Sequence, residues 1–519
     1  MKGLLNAGEI LRINAEIYPE RLGAADQVRK MTFAEWNERS CRLANALTGL
    51  GLEKGDRFAA LAFNSVEWME LYAAAAKAGL VVVPIMFRLA APEIQDIVNH
   101  AGSKAFLVSE DFRETVDGIR KDLDVPAENF VHFGADAAPA GYKGYEDLIR
   151  NASPAEPGVP VAPEDPWTIM YTSGATGKPK GAVRSHHSYD AFYLINDVEF
   201  GFDRKDRGLL VMPMCHVNSI FYSFVFTYVG GAAVVYNMTR FDPEHLLKTL
   251  SEEGITFTSL VPTHYIMMLA LPEEVKAKYD VSCVSKLLIS SAPARKDTKV
   301  AIMEHFKNSS LFEAYGSTEA GLVTLLRPDQ QFEKLGSIGR EVIGTDRLKI
   351  LDENRKEVPD GEVGELFSRS PMMFDAYWKE VEKTKEAFHG EYFSAGDMAR
   401  RDADGFYTLV DRKKNMIITG GENVFPSEIE SVLGSHETVK DVAVIGLPDP
   451  KWGESVTAVV ILHEGQSIEG DALREFCRGK IAGFKIPKKV IFISDDEMPR
   501  TGTGKILHRV LRERYGQQA

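Results

Sequence analysis

Residues 58–85 read FAALAFNSVEWMELYAAAAKAGLVVVPI. An apolar run to Phe63 is followed by Asn64-Ser65, a helix-favouring stretch through Ala78, then Gly79 and a second apolar run. Either Asn64 or Ser65 suits a helix cap, because its side-chain oxygen accepts the unsatisfied N–H groups of a first turn. Gly79 suits the other end, where the chain turns left-handed. Strand, helix, strand with unbroken apolar strands predicts a parallel sheet covered on both faces. The pattern recurs in a helix at 243–253, ITFTSLV (255–261), a helix from Thr263, KLLIS (286–290), a helix at 296–306 and LFEAY (311–315). The predicted fold class is α/β.

Two compositional shifts suggest the domain organisation. Segment 151–166, NASPAEPGVPVAPEDP, has few large apolar residues and reads as a surface connector. Around 400–420 the texture changes to a turn (DADG), a strand (FYTLV) and a charged connector (DRKK), followed by a small α+β pattern. A large composite N-terminal region over 1–411 and a small mobile α+β domain over 412–519 are expected.

The whole chain has 519 residues, 61 Lys+Arg, 75 Asp+Glu and a net charge of -14. That balance argues against a nucleic-acid partner, since neutralising phosphates needs a basic face. Four scattered cysteines (Cys41, Cys215, Cys283, Cys477) contain no CxxC motif and no disulfide framework, as expected of a reduced, cytoplasmic chain. Residues 208–239 contain no charged side chain and exceed the ~20 apolar residues a membrane span needs. Pro213, His216, Asn218 and Gly230-Gly231 break the run, so it reads instead as a strand (Leu209–Met214), a buried helix (about Ser219–Val229), a turn and a strand (Ala232–Tyr236). The N-terminus reaches Glu9 before an apolar h-region can form, and GQQA at the C-terminus carries no peroxisomal or retention signal. The expectation is a chain without a transmembrane segment, with room for a homo-oligomer.

Three motifs carry chemistry. YTSGATGKPKG (171–181) sets hydroxyls, glycines and lysines together, the ingredients of a phosphate cradle or of a flexible glycine hairpin. It is not a Walker A loop, because Gly177-Lys178 is followed by Pro179. YGSTE (315–319) offers an aromatic face and hard oxygen donors suited to a base and to Mg²⁺, or else a capped strand-to-helix turn at Ser317 or Thr318. PRTGTGKI (499–506) places Lys505 on a glycine–threonine loop.

Together with MPMCH (212–216), SSAP (290–293), GSIGR (336–340), GEVGEL (361–366), YW (377–378), SAGD (394–397), DRKK (411–414) and GGENVFPSEIE (420–430), these motifs resemble the adenylate-forming superfamily of acyl-CoA synthetases, peptide adenylation domains and luciferases. The resemblance spans nearly the whole chain. It implies an acid–thiol ligase that uses ATP, Mg²⁺ and coenzyme A, passing through an acyl-adenylate with release of pyrophosphate. It further implies that Thr172, Ser173, Gly174, Thr176, Gly177 and Lys180 hold the β- and γ-phosphates. Tyr315 and Gly316 would meet adenine, flanked by Ala292-Pro293. Thr318 would touch the α-phosphate, Glu319 with Thr172 would serve the metal, and Asp397 with Arg412 would grip the ribose. Lys505 would bridge the carboxylate and α-phosphate. Lys414 would be a hinge, and rotation there would exchange Lys505 for the Gly420-Gly421 loop. Trp452, Phe484, Lys485 and Lys488 resemble positions that meet the CoA nucleotide.

By the same resemblance His216 gates the carboxylate, and Val217, Asn218, Ser219, Tyr222, Val261, Thr263, Ser290 and Leu322 line the acyl pocket. No Arg or Lys lies in these stretches to pair a second substrate charge, so a mainly apolar acid, fatty or aromatic, is expected, with Asn218 able to read one polar group. Ala175, Ser290-Ser291 and Ala395 depart from the usual pattern, which bears on substrate size and leaves the charged groups intact. The alternatives are an acyl-AMP ligase that loads a separate carrier protein and a binding module without turnover; the latter would be expected to lack Lys505, Glu319 or Asp397.

Overall fold

The computed structural model describes residues 6–133, 137–172, 179–292, 294–420, 422–501 and 504–516. The chain forms two compact units, one of residues 1–348 and 368–393, the other of 349–367 and 394–519. The backbone therefore passes from the first to the second, back, and out again.

The first unit holds two large sheets. One runs Arg340–Glu341, Gly321–Leu326, Ser310–Ser317, Lys286–Ile289, Phe257–Leu260, Arg207–Leu210, Ala232–Val235, Leu22–Ala25 and Lys30–Thr32 in spatial order. Its centre is parallel, as the apolar runs predict. The other runs Ala376–Tyr377, Lys180–Ser185, Pro166–Thr172, Val81–Pro84, Arg57–Leu61, Ser103–Ser109, Phe130–Phe133 and Lys143–Gly144. One core cluster joins Phe58 and Val82 of this sheet with Val235 and Phe257 of the other, around Trp68 and Tyr72 of helix Glu67–Ala78 and Tyr189 of helix His186–Phe200. Those helices are packed between the sheets, which is why Glu67–Ala78 is buried on nearly every face rather than along one stripe.

Three local readings are corrected. Helix Glu67–Ala78 begins at Val66 without a side-chain cap of its own. The buried Asp26 carboxylate accepts the Val66 N–H at 3.0 Å instead, while Asn64 spends its amide on the Met212 carbonyl and the Met214 N–H. The strand expected over Leu209–Met214 spans only Arg207–Leu210, because Asn64 takes over the pairing ahead of Pro213, which has no N–H to give. The expected helix in this uncharged stretch is two short ones, Val217–Ser223 and Val225–Tyr228. Gly79 does end its helix left-handed, at φ 63°. Among the described residues no helix is long and apolar enough to cross a membrane.

The second unit has a four-stranded antiparallel sheet (Lys349–Leu351, Gly364–Phe367, Asp397–Arg401, Tyr407–Arg412) and a second sheet built on the long hairpin Val439–Asp449 with Gly453–Leu462. Helices Pro426–Leu433 and Gly470–Cys477 bury Ile429, Leu433, Leu473 and Cys477 against that hairpin.

Candidate active site

YGSTE lies in a hairpin, not at a strand-to-helix turn. Strand Ser310–Ser317 pairs antiparallel with Gly321–Leu326, with a register shift between Tyr315 and Gly316, and Ser317 Oγ accepts the Ala320 N–H at 3.0 Å. A Cβ on Gly316 would lie 2.2 Å from the Gly321 carbonyl oxygen, so this kink requires glycine. The kink leaves Tyr315 and Glu319 half-buried and Thr318 buried.

Two residues to which the sequence assigned no role fix this hairpin. Arg184 is fully buried and donates to the carbonyls of Thr318 (2.6 Å) and Met372, with Tyr189 and Phe221 rings facing its guanidinium. Burial pulls its pKa below the ordinary arginine value, opposed by Tyr189 and Asp375. Tyr377 donates its O–H to Glu319 Oε1 at 2.9 Å, and Lys180 Nζ sits 4.6 Å from the Tyr377 ring centroid. Strand Ala376–Tyr377 pairs with Lys180–Ser185, which explains how the end of the glycine-rich motif and the YGSTE carboxylate come together. Arg184 could have been suspected as a lone charge inside an apolar strand; Tyr377 stands in the quoted YW pair with nothing in its spacing to reveal its partner.

Thr172 ends strand Pro166–Thr172 and is half-buried; Ser173, Gly174, Thr176, Gly177, Pro293 and Gly421 lie outside the described residues. Ser291 adopts φ 68°, the left-handed region that favours glycine, where the sequence departs from a glycine pair. Such a conformation costs a non-glycine residue about 1–2 kcal/mol. Beyond it, the Glu313 carboxylate pairs with the fully buried Lys299 and accepts a backbone bond from Ala294, tying down the segment that follows Ala292.

His216 is the N-cap of helix Val217–Ser223, its Nδ1 accepting the Asn218 N–H at 3.3 Å. With Nδ1 as acceptor, the neutral ring carries its proton on Nε2. Val217, Ser219, Tyr222, Ser290 and Leu322 are buried, Asn218 and Val261 half-buried and Thr263 exposed. The Tyr222 ring packs among Phe192, Phe200 and Phe257.

In the second unit Asp397 and Arg412 are register partners, with Arg412 Nε 2.9 Å from Asp397 Oδ1. Lys505 sits on the turn closed by the Thr501 N–H donating to its carbonyl at 2.7 Å. The residue is exposed overall, yet loss of water around its ammonium lowers its pKa from the ordinary lysine value; Arg412 adds to the lowering and Asp397 opposes it. Lys414 belongs to the single 3₁₀ turn Lys413–Asn415. Gly420, at φ 61°, packs against Trp452, whose ring also has Lys488 Nζ at 5.9 Å. Lys485 is engaged by Glu428.

The donor set fits Mg²⁺. Glu319 Oε2 has no protein partner among the described residues, and a hard carboxylate oxygen free to meet a cation suits Mg²⁺, which binds through one or two carboxylates and keeps waters and phosphate oxygens. Among the described residues no three His, Cys, Asp or Glu side chains converge on a metal position.

Comparison with known proteins agrees. Residues 11–378 match the AMP-binding enzyme family and residues 428–505 its C-terminal domain. A long-chain-fatty-acid–CoA ligase, FadD13, of Mycobacterium tuberculosis is 37% identical over 98% of both chains. A feruloyl-CoA synthase of an Amycolatopsis species is 35% identical over 94% of both. The crystal structure of the anthranilate CoA ligase AuaEII with anthranoyl-AMP superposes with a TM-score of 0.88 at 28% identity, covering 99% of this chain and 98% of that one. The chain belongs to the AMP-binding enzyme family of acid–thiol ligases.

Proposed function

We propose that this protein joins a mainly apolar carboxylic acid, fatty or aromatic, to coenzyme A at the expense of ATP. The observation that carries the reading is the Lys180–Tyr377–Glu319 chain of contacts, which sets a phosphate-binding cation and a metal-binding carboxylate on one tyrosine. In the first half-reaction a carboxylate oxygen attacks the α-phosphorus, the bond to the β-phosphate breaks and pyrophosphate leaves. Thr172 and Lys180, with Ser173, Gly174, Thr176 and Gly177, hold the departing phosphates, and Tyr315 and Ala292 bracket adenine. Mg²⁺, held through Glu319, supplies charge neutralisation. Two anions must meet, so fixed positive charge and oriented donors carry much of the barrier reduction; Thr318 and Lys505 supply them at the α-phosphate. Asp397 accepts from the ribose hydroxyls beside Arg412.

In the second half-reaction the thiol sulfur of CoA attacks the acyl carbon, the C–O bond to AMP breaks and AMP leaves. The segment 412–519 acts as a domain turning about Lys414, which removes Lys505 and brings up Gly420, Gly421 and Trp452. Such alternation lets pyrophosphate depart before the thiol enters. The four free cysteines favour a reduced, cytoplasmic setting.

The test is a panel of carboxylates with ATP and Mg²⁺, following AMP and thioester with CoA present. Thioester from at least one acid is expected. Indifference to CoA, with acylation of a carrier protein instead, would replace this reading by that of a carrier-loading ligase.

A further inference from the structure

Within the expected acyl wall three polar side chains bond to one another. Asn218 Nδ2 lies 2.7 Å from Ser290 Oγ and 3.2 Å from Ser259 Oγ, and the two hydroxyl oxygens are 3.1 Å apart. Ser259 and Ser290 come from the neighbouring parallel strands Phe257–Leu260 and Lys286–Ile289 or just beyond, and both are buried. Asn218 opens helix Val217–Ser223, two residues after His216.

Counting hydrogens fixes what the cluster has left to offer. Three contacts need three hydrogens. With the amide N–H groups facing the serines, the amide supplies two and one serine O–H the third. With the amide reversed, the two serine hydroxyls would be the only donors to three contacts. The first orientation satisfies all three, so it is the one assigned. It leaves one serine O–H and the Asn218 Oδ1 unspent, and Oδ1 has no protein partner among the described residues. One donor and one acceptor side by side match a hydroxyl group, which gives one hydrogen and accepts another. The absence of a charged side chain from the cluster disfavours a second carboxylate or an ammonium.

We propose that Asn218, Ser259 and Ser290 read a hydroxyl on the acyl portion of the acid, so that the preferred substrate is a hydroxylated acid and not a plain hydrocarbon one. This rests on the ligase reading above, which puts the acyl portion against these residues. The physical warrant is an asymmetry. A donor and an acceptor that the bound acid shuts off from water without giving them partners penalise an acid that lacks the group, whereas an apolar wall scarcely rejects an added hydroxyl. Selectivity therefore comes from the protein's unspent groups.

The experiment compares kcat/KM for thioester formation within matched pairs: benzoate against 3- and 4-hydroxybenzoate, cinnamate against 4-hydroxycinnamate, and decanoate against 10-hydroxydecanoate. In at least one pair the hydroxylated acid is favoured tenfold or more, and Asn218→Leu lowers that ratio at least tenfold. Ser290→Ala, a smaller change that keeps the protein folded if Asn218→Leu does not, lowers the same ratio. A ratio near one for every pair turned over by the wild type overturns the proposal, as does a ratio unchanged in both variants. Failure to form thioester from any acid, with a carrier protein acylated instead, overturns the ligase reading and is distinct from a ratio of one.

Discussion

Thr318 and Lys505 carry the two halves of the proposed adenylation, and the protein holds them in opposite ways. Thr318 is buried, its carbonyl held by the buried Arg184, and the next residue is tethered by Tyr377. Lys505 stands exposed on a short turn of the second unit, held through backbone bonds to Thr501. The first arrangement fixes the direction of donors before substrate arrives, at the cost of burying a guanidinium. The second leaves the lysine on a surface turn of the second unit, with its backbone rather than its side chain tied down. Preorganisation suits groups that must not move, and exposure suits a group that acts in one half-reaction and leaves in the other.

The largest expected effect tests the exposed side. Lys505→Ala should lower adenylate formation, followed as pyrophosphate release, by roughly 10²–10³-fold or more, on the scale of losing an oxyanion donor. It should spare thiolation of pre-made acyl-AMP. Equal loss in both half-reactions would remove the contrast between a mobile lysine and a fixed threonine.

Tyr377→Phe tests the fixed side more gently. It deletes one O–H while keeping the ring under Lys180. A hydrogen bond to a charged group contributes about 1.5–3 kcal/mol, so activity at limiting Mg²⁺ should drop at least about tenfold. The Mg²⁺ activation curve should move to higher concentration, with the melting temperature little changed. An unmoved activation curve would mean that Glu319 needs no tether.

The last test leaves activity untouched and concerns stability alone. Asp190 on helix His186–Phe200 is 1% exposed, and burial raises its pKa to about 7 although Tyr228 donates to it. The folded value exceeds the unfolded one, so stability is fully present below about pH 4 and is lost as pH rises toward 7. Asp190→Asn should therefore stabilise the first unit by up to about 4 kcal/mol at pH 8, with the gain vanishing near pH 4. Melts at the two pH values check it; a gain independent of pH would show that the charge is not the cause.

Much of this was legible in sequence because local physics decided it. Apolar runs separated by Gly79 mark a covered parallel sheet, and the sheet is there. What escaped was decided at long range. Asn64 resembles a helix cap, but its amide closes a gap left ahead of Pro213, and Asp26 caps in its place. YGSTE resembles the start of a helix because nothing near Ser317 announces a hairpin; the kink depends on Gly316 meeting Gly321 across the turn. The candidate site residues are legible in the wording of the motifs, whereas Arg184 and Tyr377, which hold Thr318 and Glu319, depend on pairings that no local spacing records.

The strand at Ala376–Tyr377 also sets a timetable. Ser185 and Asp375, bonded side chain to side chain beside that strand, are 190 positions apart. At ordinary rates of chain growth that separation is roughly 10–40 s of synthesis. Throughout that interval the nascent protein has its glycine-rich motif but not Tyr377, and Glu319 itself emerges only 58 positions before that tyrosine. The excursion of residues 349–367 into the second unit falls within the same interval, and its partner strands Asp397–Arg401 and Tyr407–Arg412 emerge later still. On the proposed reading, the Lys180–Tyr377–Glu319 cluster is thus among the last parts of the first unit to be completed, which would leave an unfinished chain little means of consuming ATP.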